Sequence, residues 1–258
     1  MSNVRVAMSE IVREGTWTLR ALGYPYGVAE RAVTMLAWTE AVHGAALTLL
    51  RLGEAAIRAS AARATPAWRR DAGGTHRTEA GGKCLFECGP PALDLVTADA
   101  RTLGIGRAVL HGVMGTRLAT SLAFLAAKRD LACLLVHRAG TDEIDPVLPD
   151  GWVATVPTPE GPVFFSGALG TQLPDALPAC LRDADLTAEA GSLVLAAAPA
   201  TPVVAPVGAT DWTERVAAAY RMGTDVDPLD YRHLYALEMQ TWAPTSERSR
   251  AQAGYGRY

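Results

Sequence analysis

The amino-acid sequence predicts a mixed α and β protein: a helical N-terminal segment followed by a core in which helices and strands alternate. Three observations carry this. Apolar residues in the first part of the chain recur at the spacing of amphipathic helices. From Cys84 the texture changes to short apolar runs, bounded by Gly and Pro and interleaved with helical stretches. A hydrophobic content of 49% with 20% charged residues lets the 258-residue chain bury a core rather than remain disordered.

Ser9 is placed to cap a first helix whose apolar side runs Ile11, Val12, Leu19 and Leu22. Gly23, Pro25 and Gly27 end it. A second helix is expected from Val28 to Val42, with a continuation through Gly44 to Ala62 open to it. Residues 1–62 thus form a helical segment, and residues 63–83, with Pro66 and two Gly pairs, read as a loop or linker. The mixed core spans residues 84–258. There, Pro91–Leu103 reads as a helix with Pro at its start, Arg107–Val113 as a strand, Thr116–Ala127 as a helix and Leu131–His137 as a buried strand. Trp152–Val156 and Pro162–Phe165 form an expected hairpin around a Pro-Glu-Gly turn. Leu177–Ala190 reads as helical and Ser192–Ala197 as an apolar strand. Trp212–Met222 and Pro228–Trp242 are two further helices, before a polar tail rich in Arg, Ser and Gly from Pro244 onward.

A net charge of −3 argues against a nucleic-acid partner held by a basic surface. The longest apolar run, Leu193 to Val207, is broken by Pro199, Pro202 and Pro206, so no membrane span is expected. Without a basic stretch leading into an apolar run at the N-terminus, a cytoplasmic protein without a signal peptide is expected. Cys84, Cys88, Cys133 and Cys180 then read as reduced structural thiols rather than metal ligands, even with His76 nearby. Walker, dinucleotide-glycine, zinc and nucleophile-elbow patterns are all missing, so neither a metal nor a tightly bound nicotinamide is expected.

Three constellations remain. Glu40 and His43 share one helical face with Leu36, Leu47 and Leu50 if the helix continues. A carboxylate and an imidazole in an apolar stripe form a candidate acid–base pair, with His43 carrying the proton. The plain alternatives are a satisfied core histidine or a helix that breaks at Gly44 and exposes both. Next, His111-Gly112-Val113-Met114-Gly115-Thr116-Arg117 joins a strand to a helix. Its glycines Gly112 and Gly115 let backbone approach a ligand, the helix start at Thr116 favours an anion that Arg117 would meet, and His111 is a further candidate catalytic residue; the alternative is an ordinary strand–helix turn. Finally, Ser246, Arg248 and Arg250 in the tail offer donors for sulfate, phosphate or carboxylate, unless the terminus is simply solvated.

Family resemblance enters through these residues. Ser9-Glu10, Leu22 to Gly27, Ala29-Glu30, Trp38 and His43-Gly44 resemble the start of an uncharacterised bacterial family. Val226-Asp227-Pro228 and Pro244 to Arg250 with Gly254 resemble its end. Val42-His43-Gly44 is similar to the Ser-His-Gly helix motif of type 2 malate/lactate dehydrogenases, and Val109 through Arg117 to their strand–Asn-x-x-His–helix segment. His43 and Gly44 carry over; Val42 replaces the serine, the second histidine falls at about Val113, and no nicotinamide-binding segment has a counterpart. In overall texture the chain also resembles the larger subunit of the aziridine-forming enzymes of azinomycin-type pathways. That last resemblance implies a cofactor-free enzyme of secondary metabolism that closes a ring by expelling sulfate. It further implies a small substrate bearing an amine and a sulfate or carboxylate, and a second protein subunit. The expectation from sequence is that non-redox reaction, with a nicotinamide-dependent oxidoreductase or a non-catalytic partner subunit as alternatives.

Overall fold

The computed structural model describes residues 3–140, 150–184, 186–200, 202 and 208–242. Its N-terminal helices are α1 (Met8–Ala21), α2 (Tyr26–His43), α3 (Ala46–Leu52) and α4 (Glu54–Ala62). The continuation through Gly44 does not form: the helix breaks there. Gly44 adopts φ 68°, and α3 leaves at 118° to α2. Leu47 and Leu50 therefore belong to α3 and do not extend the face that carries Glu40 and His43. Met35 through Glu40 are all buried, as expected of a helix packed on every side rather than along one stripe.

A seven-stranded mixed sheet forms the other half, in the order β2-β3-β4-β8-β5-β6-β7. Its strands are β2 (Arg69–Arg70), β3 (His76–Glu79), β4 (Gly106–His111), β5 (Leu131–Arg138), β6 (Gly151–Val156), β7 (Val163–Ala168) and β8 (Ser192–Pro199). Only β3 and β4 run parallel; every other neighbouring pair in this sheet is antiparallel. The stretch 63–83, expected as loop or linker, supplies β2 and β3. Both are too short and polar for an alternating pattern, and pairing with β4 is what makes β3 a strand. A second, two-stranded ribbon joins β1 (Val4–Val6) to β9 (Thr224–Val226), bringing the two ends of the described chain together.

Helices α5 (Leu85–Leu103) and α6 (Ala119–Ala127) lie on one face of the sheet, and α2 packs behind them. α5 starts six residues before the Pro91 expected to open it. Leu85, Phe86 and Cys88 are buried, and that burial outweighs the bond lost at Pro90 and Pro91 in the helix interior. Thr116–Leu118 is a 3-10 turn, and α6 begins only after it. The helix expected over Leu177–Ala190 shrinks to one turn, α7 (Ala179–Arg182); Leu177, Leu181 and Ala188 still bury against the opposite face of the sheet. α8 (Trp212–Met222) is as expected, while α9 (Pro228–Glu238) stops short and ends in a 3-10 turn. One apolar cluster runs from Val6 on β1 through α1, α2, α5, α6 and the sheet to Leu237 on α9. No single described helix is long and apolar enough to cross a membrane.

Candidate functional site

The candidate site forms where the C-terminal end of α2 reaches the sheet. His43 is the last residue of α2, held there by the left-handed Gly44 cap. Its Nε2 lies 2.9 Å from Thr120 Oγ1 on α6, and its ring meets Trp212 of α8 edge-on at 5.5 Å. Below it is a pocket of ≈ 240 Å³. The floor is formed by strand residues that share one face of β5, β6 and β7: His137 pairs with Gly151 and Gly151 with Ala168, and beside them Val153 pairs with Ser166. The hollow exists because Gly151 and Ala168 put almost no side chain beside the His137 imidazole.

Burial drives the electrostatics. The half-buried His43 is lowered to about 4 by desolvation, aided by the positive charges of Arg215 and Arg117. Its imidazole is therefore neutral at neutral pH. Arg117 is buried on the 3-10 turn leading into α6, and Arg215 is anchored by Asp211 and by the Val42 carbonyl at 3.1 Å. His137, only 4% exposed, is likewise held below its ordinary value by burial, against a smaller pull from Asp150. Two imidazoles, both held below their ordinary values, thus border one pocket, and the charges of Arg117 and Arg215 act on the His43 end of it.

Glu40 is buried one turn earlier but turns away from the pocket. Its Oε2 accepts the N–H of Leu47 at 3.0 Å, so it caps the otherwise uncapped start of α3. Burial raises its carboxyl to about 7; bonds from the Leu47 and Ala46 amides oppose the rise, and Asp230 adds to it. The acid–base pair expected from Glu40 and His43 is thereby divided. Glu40 serves the α2–α3 corner, and Thr120, not Glu40, is the hydrogen-bond partner of His43.

The strand–helix turn is not an open cradle either. The Gly112 carbonyl takes the Gly82 N–H at 2.6 Å, the Val113 N–H goes to Gly191, and the Met114 N–H to Lys83. Gly115, at φ 75°, faces Leu118 and Leu49, and Thr116 is buried at the 3-10 turn. His111 alternates with the core residue Leu110, so it faces the opposite side of the sheet from His43. There it shares a cleft with Arg77 and Arg107, 3.8 Å from Glu189. Ser246, Arg248 and Arg250 lie outside the described residues. His76 pairs with Asp99 at 2.9 Å, and Cys84, Cys88 and Cys133 are buried free thiols. Thr120, His137, Ser166, Trp212 and Arg215 carry no role that sequence patterns alone assign. The one local signal is His137, an imidazole closing an otherwise apolar strand.

No protein-family model matches the chain, and no curated protein matches its sequence. The fold, however, has close counterparts among solved structures. Malate dehydrogenase from Entamoeba histolytica superposes with a TM-score of 0.68 at 11% identity, over 94% of this chain and 99% of that one. A dehydrogenase from Sinorhizobium meliloti gives 0.69 at 14% identity, over 92% and 100%. Sulfolactate dehydrogenase from Methanocaldococcus jannaschii gives 0.65 at 8% identity, over 92% and 97%. The chain thus has the fold of malate/lactate dehydrogenase-like proteins. These findings overturn the expected ring-closing, sulfate-expelling, lyase-like reaction and its antibiotic-biosynthesis setting, because the proteins that share the whole architecture are named for redox chemistry.

Proposed function

We propose that this protein is an oxidoreductase that moves a hydride between a nicotinamide cofactor and a small hydroxy or oxo carboxylic acid, with His43 managing the proton. The observation that carries the reading is the neutral His43 imidazole, hydrogen-bonded to Thr120 above a small pocket and flanked by two arginine charges. The names of the structures that share the fold support the same class of reaction.

The fit of a nicotinamide ring rests on the pocket's shape. At the His43 end, Thr120 and the Trp212 indole form the wall, and an aromatic side chain there suits a planar ring. Those residues would hold the ring, and when bound there it supplies or takes the hydride. The chain's own residues do the rest. The charges of Arg117 and Arg215 favour an anionic carboxylate nearby. That carboxylate offsets the two cations, so His43 should regain basicity as substrate arrives. In the oxidative direction the substrate hydroxyl then loses its proton to His43 Nε2, directly or through the Thr120 hydroxyl, as the carbon–hydrogen bond is broken. In the reductive direction the same nitrogen returns the proton to the new alkoxide oxygen.

The test is titration of the purified protein with NADH and NADPH, followed by fluorescence, then turnover of short 2-hydroxy and 2-oxo acids. Binding of one nucleotide and oxidation of one acid are expected. His43→Gln should reduce kcat by roughly 10²–10⁴-fold, the ordinary contribution of a general acid–base group. Failure of both nucleotides to bind at millimolar concentration, with none of the acids turned over, would overturn the proposal.

A further inference from the structure

His137 is a buried side chain that the proton chemistry does not use. It is 4% exposed, borders the pocket, and has no hydrogen-bond partner among the described residues. Its ring forms part of the pocket wall, where its donor and acceptor nitrogens are within reach of whatever enters. Its orientation is fixed by the sheet. Cys133 and Leu135, four and two residues earlier on β5, belong to the helix-side core, so His137 projects to the same side as His43. Its cross-strand neighbours there are Gly151 and then Ala168, which leaves open space beside the ring. Exposed Ser166 on the edge strand β7 adds a hydroxyl to the same pocket.

We propose that His137 is a specificity-determining residue, which binds an uncharged hydrogen-bonding group at the end of the substrate remote from His43. This rests on the proposed reading of the pocket as the substrate site. The charge of the substrate belongs on the other flank, near Arg117 and Arg215. At the His137 end the charge acting on the ring is the carboxylate of Asp150, held by Arg138 and by the Ala139 N–H. A second anionic group there meets a neutral imidazole and a carboxylate, so it is disfavoured. A hydroxyl, carbonyl or amide meets a neutral ring that both donates and accepts. The ligand class is thus a short monocarboxylic acid with one further neutral polar group.

Lactate, glycerate and malate test this, because they differ only in that remote group: none, a hydroxyl, or a carboxylate. Their dissociation constants are measured without nucleotide, by following the ring C–H signals in protein carrying ¹³C-labelled histidine; the His137 signal is assigned from its loss in His137→Gln. Glycerate should bind roughly three- to tenfold more tightly than lactate, the usual return of one hydrogen bond, and malate less tightly than glycerate. His137→Phe should equalise glycerate and lactate, while His137→Gln, which keeps a donor and an acceptor, should retain part of the preference. Asp150→Asn should improve malate selectively. Equal binding of glycerate and lactate by the wild type, or a preference unchanged in a folded His137→Phe protein, would overturn the assignment; so would no binding of any of the three acids. If the ratios hold but no nucleotide-linked turnover occurs, the oxidoreductase reading fails and the role of His137 stands. If turnover occurs but the ratios are indifferent to residue 137, the role of His137 fails and the oxidoreductase reading stands.

Discussion

Glu40 and His43, three residues apart on one helix, should push stability in opposite directions with pH. The Glu40 carboxyl is raised from 4.5 to about 7, so near neutrality the folded protein holds a proton that the unfolded chain has released. Its contribution is fully present below about 4.5 and is lost as pH rises through 7. The His43 imidazole is lowered from 6.5 to about 4, so between those values the unfolded chain binds a proton that the folded protein refuses. Its contribution is present above 6.5 and is lost as pH falls toward 4. The two windows overlap between about 4.5 and 6.5, where they offset each other. Glu40→Gln, which keeps an oxygen for the Leu47 amide, should therefore lose melting temperature more steeply than the wild type on acidification from pH 7 to 5. His43→Gln should lose it less steeply. A pKa unit corresponds to about 1.4 kcal/mol, and each kcal/mol to roughly 2–4 °C in a chain of this size. Parallel curves of melting temperature against pH for all three proteins would refute the assignment. A second expectation concerns the imidazole alone. Saturating lactate should raise the His43 pKa measured by histidine NMR, because its carboxylate offsets Arg117 and Arg215; an unchanged pKa in the bound protein would place the acid elsewhere.

Two backbone positions show what the elements demand of the sequence. α5 lies so close over β4 that a Cβ on Gly106 would stand 2.0 Å from the Val96 carbonyl oxygen, which is backbone and cannot rotate away. Gly106→Ala should cost about 3 kcal/mol or prevent folding, at the upper end of ordinary overpacking; a denaturant midpoint equal to that of the wild type would show that the helix can slide. At the other end of the chain, Asp227 caps α9 by accepting the Leu229 N–H at 2.7 Å. Asp227→Ala should cost about 1 kcal/mol, and since α9 does not border the His43 pocket, acid binding should be unaffected. A matched loss of binding would show that α9 and the pocket are coupled.

At the scale of the molecule, the helical segment and the sheet share one apolar cluster, and the ends are tied twice. β1 pairs with β9, and the Thr18 hydroxyl of α1 donates to the Leu234 carbonyl of α9 at 2.8 Å. Asp230 of α9, only 4% exposed, pairs with Arg51 and Thr48 of α3. The polar stretch 63–83 therefore should not act as a hinge between units that melt separately. Far- and near-ultraviolet circular dichroism should report one coincident denaturant transition. A first step confined to helix, with the sheet's aromatic signal intact, would refute this.

By itself the sequence determined the class, the helical front, most of the helices and the apolar strands, because local periodicity records which residues face a core. It also marked His43, an imidazole held by a helix-ending glycine. Only the tertiary structure decided the rest. Arg69–Arg70 and His76–Glu79 are strands because β4 offers an edge, and no local pattern encodes a partner. Glu40 left its supposed partner because α3 turns through 118° at Gly44 and presents free amides to it. His111 was separated from His43 because alternate residues of a strand face opposite sides of a sheet. Thr120 and His137 joined His43 across 77 and 94 residues of chain. A site is a set of distances between side chains far apart in sequence, and those distances are fixed by how helices and strands pack, not by the order in which residues are read.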